Sequence, residues 1–285
     1  MPNTLQTLLG LFDLEQLETN LFRGLNESMG PPRVFGGQVI GQALIAALKT
    51  VEKRQCHSLH GYFLRPGDPE IPIVYEVDRI RDGKSFTTRR VVAIQRGEAI
   101  FNMSASFHVL EAGLSHQFQM PEVPGPEELN SDREMYADVL DALPERMRER
   151  FSSEQAIEVR RVVPVNLMHP EKMPPYQNTW FRVREALPDD MAIHQCLLAY
   201  ASDMGLLSTS TLPHGKSFLT GLMTASLDHA MWFHRHFRMD EWILFAQDSP
   251  SMDSARGFNR GTMYTRDGLL IASVAQEGLV RDTGQ

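Results

Sequence analysis

The sequence predicts an α+β protein of two similar halves, each a long central helix wrapped by an antiparallel β-sheet. Three observations predict it. A group of alternating strands with glycine turns occurs twice, each group follows a helix rich in small and apolar residues, and a stretch rich in Pro and Glu separates the two. A helix that is apolar on most sides needs a sheet to cover it, and this requirement gives each half its layered form.

Composition and charge narrow the class of protein. The 285 residues are 42% hydrophobic and 22% charged, as in ordinary globular proteins. The net charge of −8 argues against a nucleic-acid-binding protein, which needs a basic face. Cys56 and Cys196 are too few for a disulfide framework or a cysteine-rich zinc site. Both are expected to be buried, reduced thiols.

The first twenty residues predict a short amphipathic helix, with Leu5, Leu8, Leu9 and Phe12 on one side. They lack the basic region and the cleavage site of a signal peptide. No apolar run approaches the ~20 residues needed to span a membrane. We therefore expect a cytoplasmic protein without a membrane span.

The helices and strands follow one another in the same order in both halves. The first half has a helix over residues 34–51 and three strands over 73–107, and the second has a helix over 191–207 and three strands over 244–278. Aspartate- and glycine-containing turns separate the strands. Each helix carries small or apolar residues on most of its surface, as expected for a buried element.

The two halves can be aligned residue by residue. The aromatic segment before the strands matches at an offset of 170 residues, which carries Phe63 onto Phe233. A variable loop would explain the difference of one residue from the offset in the strands. Three pairs are 171 residues apart: Asp82 and Asp253, Gly97 and Gly268, Ile100 and Ile271.

This alignment predicts the domain limits. Residues 1–112 form an N-terminal domain without a complete set of catalytic groups, and residues 158–285 form a C-terminal domain that carries them. Residues 113–157 read as a linker with one surface helix, because they are rich in Pro and Glu.

Several familiar motifs are missing. The sequence has no G-x-S-x-G, so it lacks the nucleophile turn of the α/β-hydrolases. The GKS at 215–217 lacks the upstream glycine of a phosphate-binding loop. The cluster His229, His234 and His236 has no cysteine or well-spaced carboxylate beside it, so packing or surface roles are favoured over a metal site. No cofactor or metal is expected.

Gln276 is polar where the repeat predicts an apolar residue. The offset of 171 carries Ala105 onto Gln276, and the face of the first-half strand that includes Ala105 is apolar throughout. A carboxamide buried without partners costs about 1–3 kcal/mol, so Gln276 needs a partner or a ligand. A structural glutamine bonded to nearby backbone is the alternative.

Asp203 is a second polar exception. It follows Cys196, Ala199 and Tyr200 at helical spacing, on or beside the apolar stripe of its helix. It also lies toward the helix C-terminus, where the dipole disfavours an anion. The corresponding first-half helix has no acidic residue. The alternative is a solvated aspartate beyond a frayed helix end.

Ser226 is the third candidate. The offset of 170 pairs Ser226 with Cys56. On a continuous strand Ser226 and Asp228 share a face and His229 faces the other way. A strand serine alone is usually packed or capping, so Ser226 gains weight only from its companions. A buried carboxylate can activate a water, which a hydroxyl and a carboxamide orient while backbone amides hold an oxyanion. The three residues together predict hydrolysis by a general base without a covalent nucleophile.

Seven segments resemble the acyl-CoA thioesterase II family of double-hotdog enzymes. The resemblance implies two fused hotdog domains and hydrolysis of fatty acyl-CoA to free fatty acid and CoA. It also implies a catalytic set of Asp203, Ser226 and Gln276, in which many members carry Thr in place of the serine. Loss of the threonine methyl frees χ1 of Ser226. The segments are VFGGQVIGQAL, HSLHGYFLRPGD, DGKSFTTRRV, YASDMGLL, LDHAMWFHR, SARGFNRG and VAQEG.

Alternatives remain at this stage. His57 is the second choice for a general base, because histidine is the commonest one, but the first half lacks companion groups. A hydratase or dehydratase acting on acyl thioesters, or a non-catalytic acyl-CoA binding module, would share the fold. Open sheet edges tend to pair, so a homo-oligomer is expected. Substrate-binding residues stay unassigned, although three arginines are candidates for CoA phosphates: Arg65, Arg235 and Arg256.

Overall fold

The computed structural model describes residues 2–26, 33–143, 145, 148 and 152–284. In these ranges the α-helices are α1 (Leu5–Gly10), α2 (Gly36–Leu48), α3 (Asp132–Tyr136) and α4 (Met191–Ser202). The first-half strands are β1 (Glu15–Glu18), β2 (Leu21–Gly24), β3 (Gln55–Phe63), β4 (Ile73–Asp82), β5 (Phe86–Gln95) and β6 (Glu98–His108). The second-half strands are β7 (Ile157–Arg161), β8 (Tyr176–Val183), β9 (Leu222–Ser226), β10 (Asp228–Phe233), β11 (Ile243–Asp253), β12 (Arg256–Thr265) and β13 (Leu270–Asp282).

One antiparallel sheet runs through both halves. Its strand order is β1-β2-β4-β5-β6-β3-β10-β13-β12-β11-β8-β7, and β9 pairs with β13 off this path. The pairing of β3 with β10, which sets His60 opposite Ala230, joins the two halves edge to edge. The predicted α+β architecture of two helix-and-sheet halves is confirmed.

The helices α2 and α4 pack against each other at the centre of the molecule. Glycine permits this close approach, since a Cβ on Gly37 would come within 2.3 Å of the backbone oxygen of Tyr200. The side chain of Gln195 on α4 bonds the backbone N–H and carbonyl of Cys56 on β3, at 3.2 and 2.7 Å. A second-half helix is thereby fastened to a first-half strand. Cys56 and Cys196 are both buried and free, as predicted.

The repeat is visible in the irregularities of the sheet. The pairing of β4 with β5 shifts between Asp78 and Arg81, and that of β11 with β12 shifts between Asp248 and Ser251, 170 residues later. The second of these hairpins is one pair longer, because Asp253 still pairs with Arg256. The sequence alignment of Asp82 with Asp253 is therefore wrong by one residue.

The N-terminal helix is present, with Leu8 fully buried. The linker holds several short helical pieces, α3 and the 3-10 helices Pro126–Glu128 and Ala137–Ala142, in place of the one helix predicted. Part of that predicted helix lies outside the described residues. The domain limits 1–112, 113–157 and 158–285 stay a prediction. None of the described helices is long and apolar enough to cross a membrane.

Candidate active site

Asp203 lies where the two halves meet. It is the residue at which α4 ends, with φ −87° and ψ −5°. The N-terminus of α2, from the other half, lies against it, since a Cβ on Gly36 would be only 2.7 Å from Asp203 Oδ2. A glycine is therefore needed at this position. Asp203 is at the helix end, but it is enclosed by protein groups on several sides and is not a freely solvated aspartate.

Three donors hold the Asp203 carboxylate. Gln276 Nε2 donates to Oδ1 at 2.6 Å, and Ser226 Oγ donates to the same oxygen at 3.4 Å. The backbone N–H of Gly37 also donates to this carboxylate. The side chain of Gln276 is completely buried. The structure thus brings Asp203, Ser226 and Gln276 together, and both side-chain donors leave Oδ2 free of side-chain hydrogen bonds from this set.

The environment tunes Asp203 toward neutral pH. Burial raises the pKa of Asp203 from 3.8 to about 6, while the hydrogen bonds from Gln276, Gly37 and Ser226 and the charge of Arg33 act in the opposite direction. Desolvation disfavours the carboxylate, and donors favour it, so the result is an intermediate pKa. A carboxylate of this kind is suited to accept a proton near pH 7.

The chain between Ser226 and His229 departs from the predicted continuous strand. Ser226 pairs with Gly278, and Ala230 pairs with Ala275. Three residues of the first chain segment therefore face two of β13, which is the pattern of a bulge. The extra residue reverses the alternation of faces. The prediction that His229 faces away from Ser226 is wrong, and His229 enters the same cluster.

His229 is a buried neighbour of Gln276 that the sequence reasoning did not place in the site. Its Nδ1 lies 3.2 Å from Gln276 Nε2, and its Nε2 lies 2.9 Å from Ser202 Oγ. Burial lowers the pKa of His229 to about 3, so the ring is neutral. A signal was available, because the offset of 170 aligns His229 with Leu59, which pairs with Ala105.

Asn259 is a second residue that the sequence reasoning missed. It is completely buried and lies opposite Gln276 in the pairing of β12 with β13. Asn259 Nδ2 donates to the carbonyl of Gly257 at 3.2 Å. Among the described residues, Asn259 Oδ1 and Gln276 Oε1 have no hydrogen-bond partner.

The corresponding place in the first half is filled by an arginine. Ala105 pairs with Arg89, as Gln276 pairs with Asn259. Arg89 is buried, and its guanidinium donates to the Thr50 hydroxyl at 2.8 Å and to the Thr50 carbonyl at 3.0 Å, just beyond α2. A large cation therefore occupies the space next to the first-half helix end.

His57 does not join the cluster around Asp203. Its Nε2 is 2.8 Å from Ser106 Oγ, and its ring contacts Phe86 and His108. All of these partners belong to the first half. The structure therefore does not favour His57 as the general base of this site.

The remaining candidates have other partners. His234 bonds Ser273 at 2.9 Å and does not share the environment of His229. In the part of the chain that the structure describes, no group of three or more His, Cys, Asp or Glu could hold a metal ion. The three candidate arginines are engaged within the protein: Arg65 with the Ala99 carbonyl, Arg235 with the Leu270 carbonyl and Arg256 with Glu277.

The fold and the cluster define a double-hotdog protein with one carboxylate-centred site. A solved protein with the hot dog fold from Alicyclobacillus acidocaldarius superimposes with a TM-score of 0.77 over 95% of this chain and 97% of its own, at 18% identity. The family model for acyl-CoA thioesterase matches residues 147–279, and that for the acyl-CoA thioesterase N-terminal domain matches residues 25–108.

Full-length relatives define the family. Acyl-CoA thioesterase 2 of Haemophilus influenzae is 41% identical over 283 residues, 99% of each chain. Human acyl-coenzyme A thioesterase 8 is 40% identical over 98% of this chain and 91% of its own. The crystal structure of an acyl-CoA thioesterase II from Mycobacterium marinum matches with a TM-score of 0.79 and 42% identity, covering 98% of both chains. The chain belongs to the acyl-CoA thioesterase family.

Proposed function

We propose that the protein hydrolyses fatty acyl-CoA to free fatty acid and CoA by direct attack of a water that Asp203 activates. As a member of this family it is an acyl-CoA thioester hydrolase. The observation that carries the assignment of the base is the Asp203 carboxylate, whose pKa is raised to about 6 by burial and whose Oδ1 is held by Gln276 at 2.6 Å. Fixing one oxygen aims the other at its target.

The reaction needs one proton acceptor and one positive region. Asp203 Oδ2 takes a proton from water as the water oxygen attacks the thioester carbonyl. The N-terminus of α2, whose Gly37 N–H already points to Asp203, supplies positive potential beside the developing oxyanion. The tetrahedral intermediate then expels the CoA thiolate, which takes the proton from Asp203. The products are one carboxylic acid and one thiol for each water consumed.

The activity itself is tested by release of thiol. Purified protein is mixed with acyl-CoA of several chain lengths, and free CoA is followed with a thiol reagent while the fatty acid is quantified. We expect equal amounts of both products. Folded protein that binds acyl-CoA but releases no thiol would instead support a non-catalytic binding module, and hydration of an enoyl-CoA would support a hydratase.

The rate should depend on the ionisation of Asp203. Because the base must be unprotonated, kcat/KM is expected to rise with pH through about 6, the raised pKa of Asp203, and to level off above it. Below that pH the rate should fall about tenfold per pH unit, as expected for a single proton. A profile measured between pH 4.5 and 9 in a constant-ionic-strength buffer checks this. A flat profile through this range would contradict Asp203 as the base.

Ser226 should contribute less than the other two residues. Its hydrogen bond to Asp203 is long, 3.4 Å, and Gln276 and Gly37 remain when it is lost. Ser226→Ala is expected to lower kcat about 10- to 100-fold, by analogy with loss of one orienting donor. Ser226→Thr keeps the hydroxyl and should be neutral or faster. Ser273→Ala, which removes a serine bonded to His234, serves as the control. A collapse of activity in the threonine variant would show that Ser226 is misassigned.

The assembly and the location belong to the same proposal. The expected homo-oligomer rests on the tendency of open sheet edges to pair, and its mass in solution is measurable by light scattering. The cytoplasmic location rests on the sequence features of the first twenty residues.

A further inference from the structure

We propose that His229 is a positioning residue, which fixes the direction of the Gln276 carboxamide and through it the Asp203 carboxylate. This inference rests on the proposed function, in which Gln276 holds the general base. His229 and Gln276 are 1% and 0% exposed, so no solvent competes for their hydrogen bonds. The Nδ1 of His229 and the Nε2 of Gln276 are 3.2 Å apart.

The proton on the His229 ring can be located from its neighbours. Ser202 has one hydroxyl hydrogen, and it is donated to the carbonyl of Ala199 at 2.7 Å, because a carbonyl oxygen only accepts. The bond between Ser202 Oγ and His229 Nε2, at 2.9 Å, therefore takes its hydrogen from the ring. A neutral imidazole with the proton on Nε2 presents a bare Nδ1 to Gln276.

A bare Nδ1 selects one orientation of the amide. It can only accept, so Gln276 must present its NH₂ group and not its oxygen. The second hydrogen of the NH₂ group goes to Asp203 Oδ1 at 2.6 Å. Gln276 Oε1 has no hydrogen-bond partner among the described residues, so that side of the amide does not hold the orientation. A reversed amide would set its oxygen against a carboxylate oxygen and a ring lone pair.

The first half provides an independent comparison. At the place of His229 it has Leu59, which lies opposite Ala105 just as His229 lies beside Gln276. The half without an amide to orient thus has no histidine either. The carboxamide and the imidazole occur as a pair, and Ser202 at the last position of α4 anchors that pair to the same helix end that carries Asp203.

Two substitutions separate positioning from packing. His229→Leu introduces the residue of the first half and removes the acceptor, whereas the Oδ1 of Asn in His229→Asn can take the place of Nδ1. We expect His229→Leu to lower kcat about 10- to 100-fold with KM changed less than about threefold, and His229→Asn to stay within about fivefold of wild type. His234→Leu, which removes the outward histidine bonded to Ser273, is the matched control and should keep full activity.

Nitrogen NMR of the wild-type protein gives a readout that does not depend on activity or on variant folding. We expect an unprotonated Nδ1 and a protonated Nε2 for His229 throughout the neutral range. The opposite tautomer, a folded His229→Leu enzyme with wild-type kcat, or an asparagine variant as impaired as the leucine one would overturn the inference. Each of these results leaves the proposed function standing, because that function fails only if Asp203→Asn stays active.

Discussion

Replacing Asp203 with Asn is expected to lower kcat for acyl-CoA hydrolysis by about 10²- to 10⁴-fold, the range that a positioned general base contributes. An amide of the same shape cannot take a proton from water at neutral pH, whereas it preserves the packing at the end of α4. Acyl-CoA binding should change little, so KM or a measured Kd reports that the site is intact. Near-normal turnover by the folded variant would mean that another group activates the water.

The stability of this variant separates chemistry from unfolding. The pKa of Asp203 is raised in the folded protein from 3.8 to about 6, so its contribution to stability is present below pH 3.8 and is lost as pH rises through 6. Two pKa units correspond to roughly 3 kcal/mol, which is an upper limit because Asn also loses charge-assisted hydrogen bonds. At pH 8 the Tm of Asp203→Asn should therefore equal or exceed that of wild type.

Gln276→Ala is expected to have the second largest effect, a loss of about 10²- to 10³-fold in kcat, comparable to removal of one preorganised donor. Its 2.6 Å hydrogen bond lowers the pKa of Asp203, so the acidic limb of the pH profile should also move to higher pH in the variant. Stopped assays of kcat at several pH values measure both effects.

A matched control exists in the other half. Gln42 is equally buried and bonds the carbonyls of Leu11 and Leu25, away from Asp203. Gln42→Ala should lower stability without a specific loss of kcat. In the double variant, Gln276→Ala should add little to Asp203→Asn, since two residues that act as a unit are not additive. Full additivity would argue that Gln276 acts independently of Asp203.

The sequence predicted those parts of the site that show as exceptions to a pattern. Gln276 stood out because the repeat sets it against Ala105, and Asp203 stood out on an apolar helix. The two architectural halves followed from periodicity and turn residues, which are local signals. The family resemblance then joined Ser226 to the other two residues.

Other parts of the site depend on tertiary structure and could not be predicted in the same way. The single extra residue after Ser226 changes the side on which His229 lies, and bulges leave little trace in residue type. The approach of Gly36 to Asp203 joins two halves that are far apart in sequence. Arg89 filling the first-half position is likewise visible only from its contacts with Thr50.

The account depends most on direct attack by water, and a single turnover in oxygen-18 water tests it. Enzyme in excess hydrolyses a limiting amount of acyl-CoA, and mass spectrometry locates the label in the fatty acid and in the peptide that contains Asp203. If Asp203 is a general base, the first turnover places oxygen-18 in the fatty acid and none in the protein. If Asp203 were instead a nucleophile that forms an anhydride, the first fatty acid would carry unlabelled protein oxygen and the label would appear in the Asp203 carboxyl group, which would contradict the account.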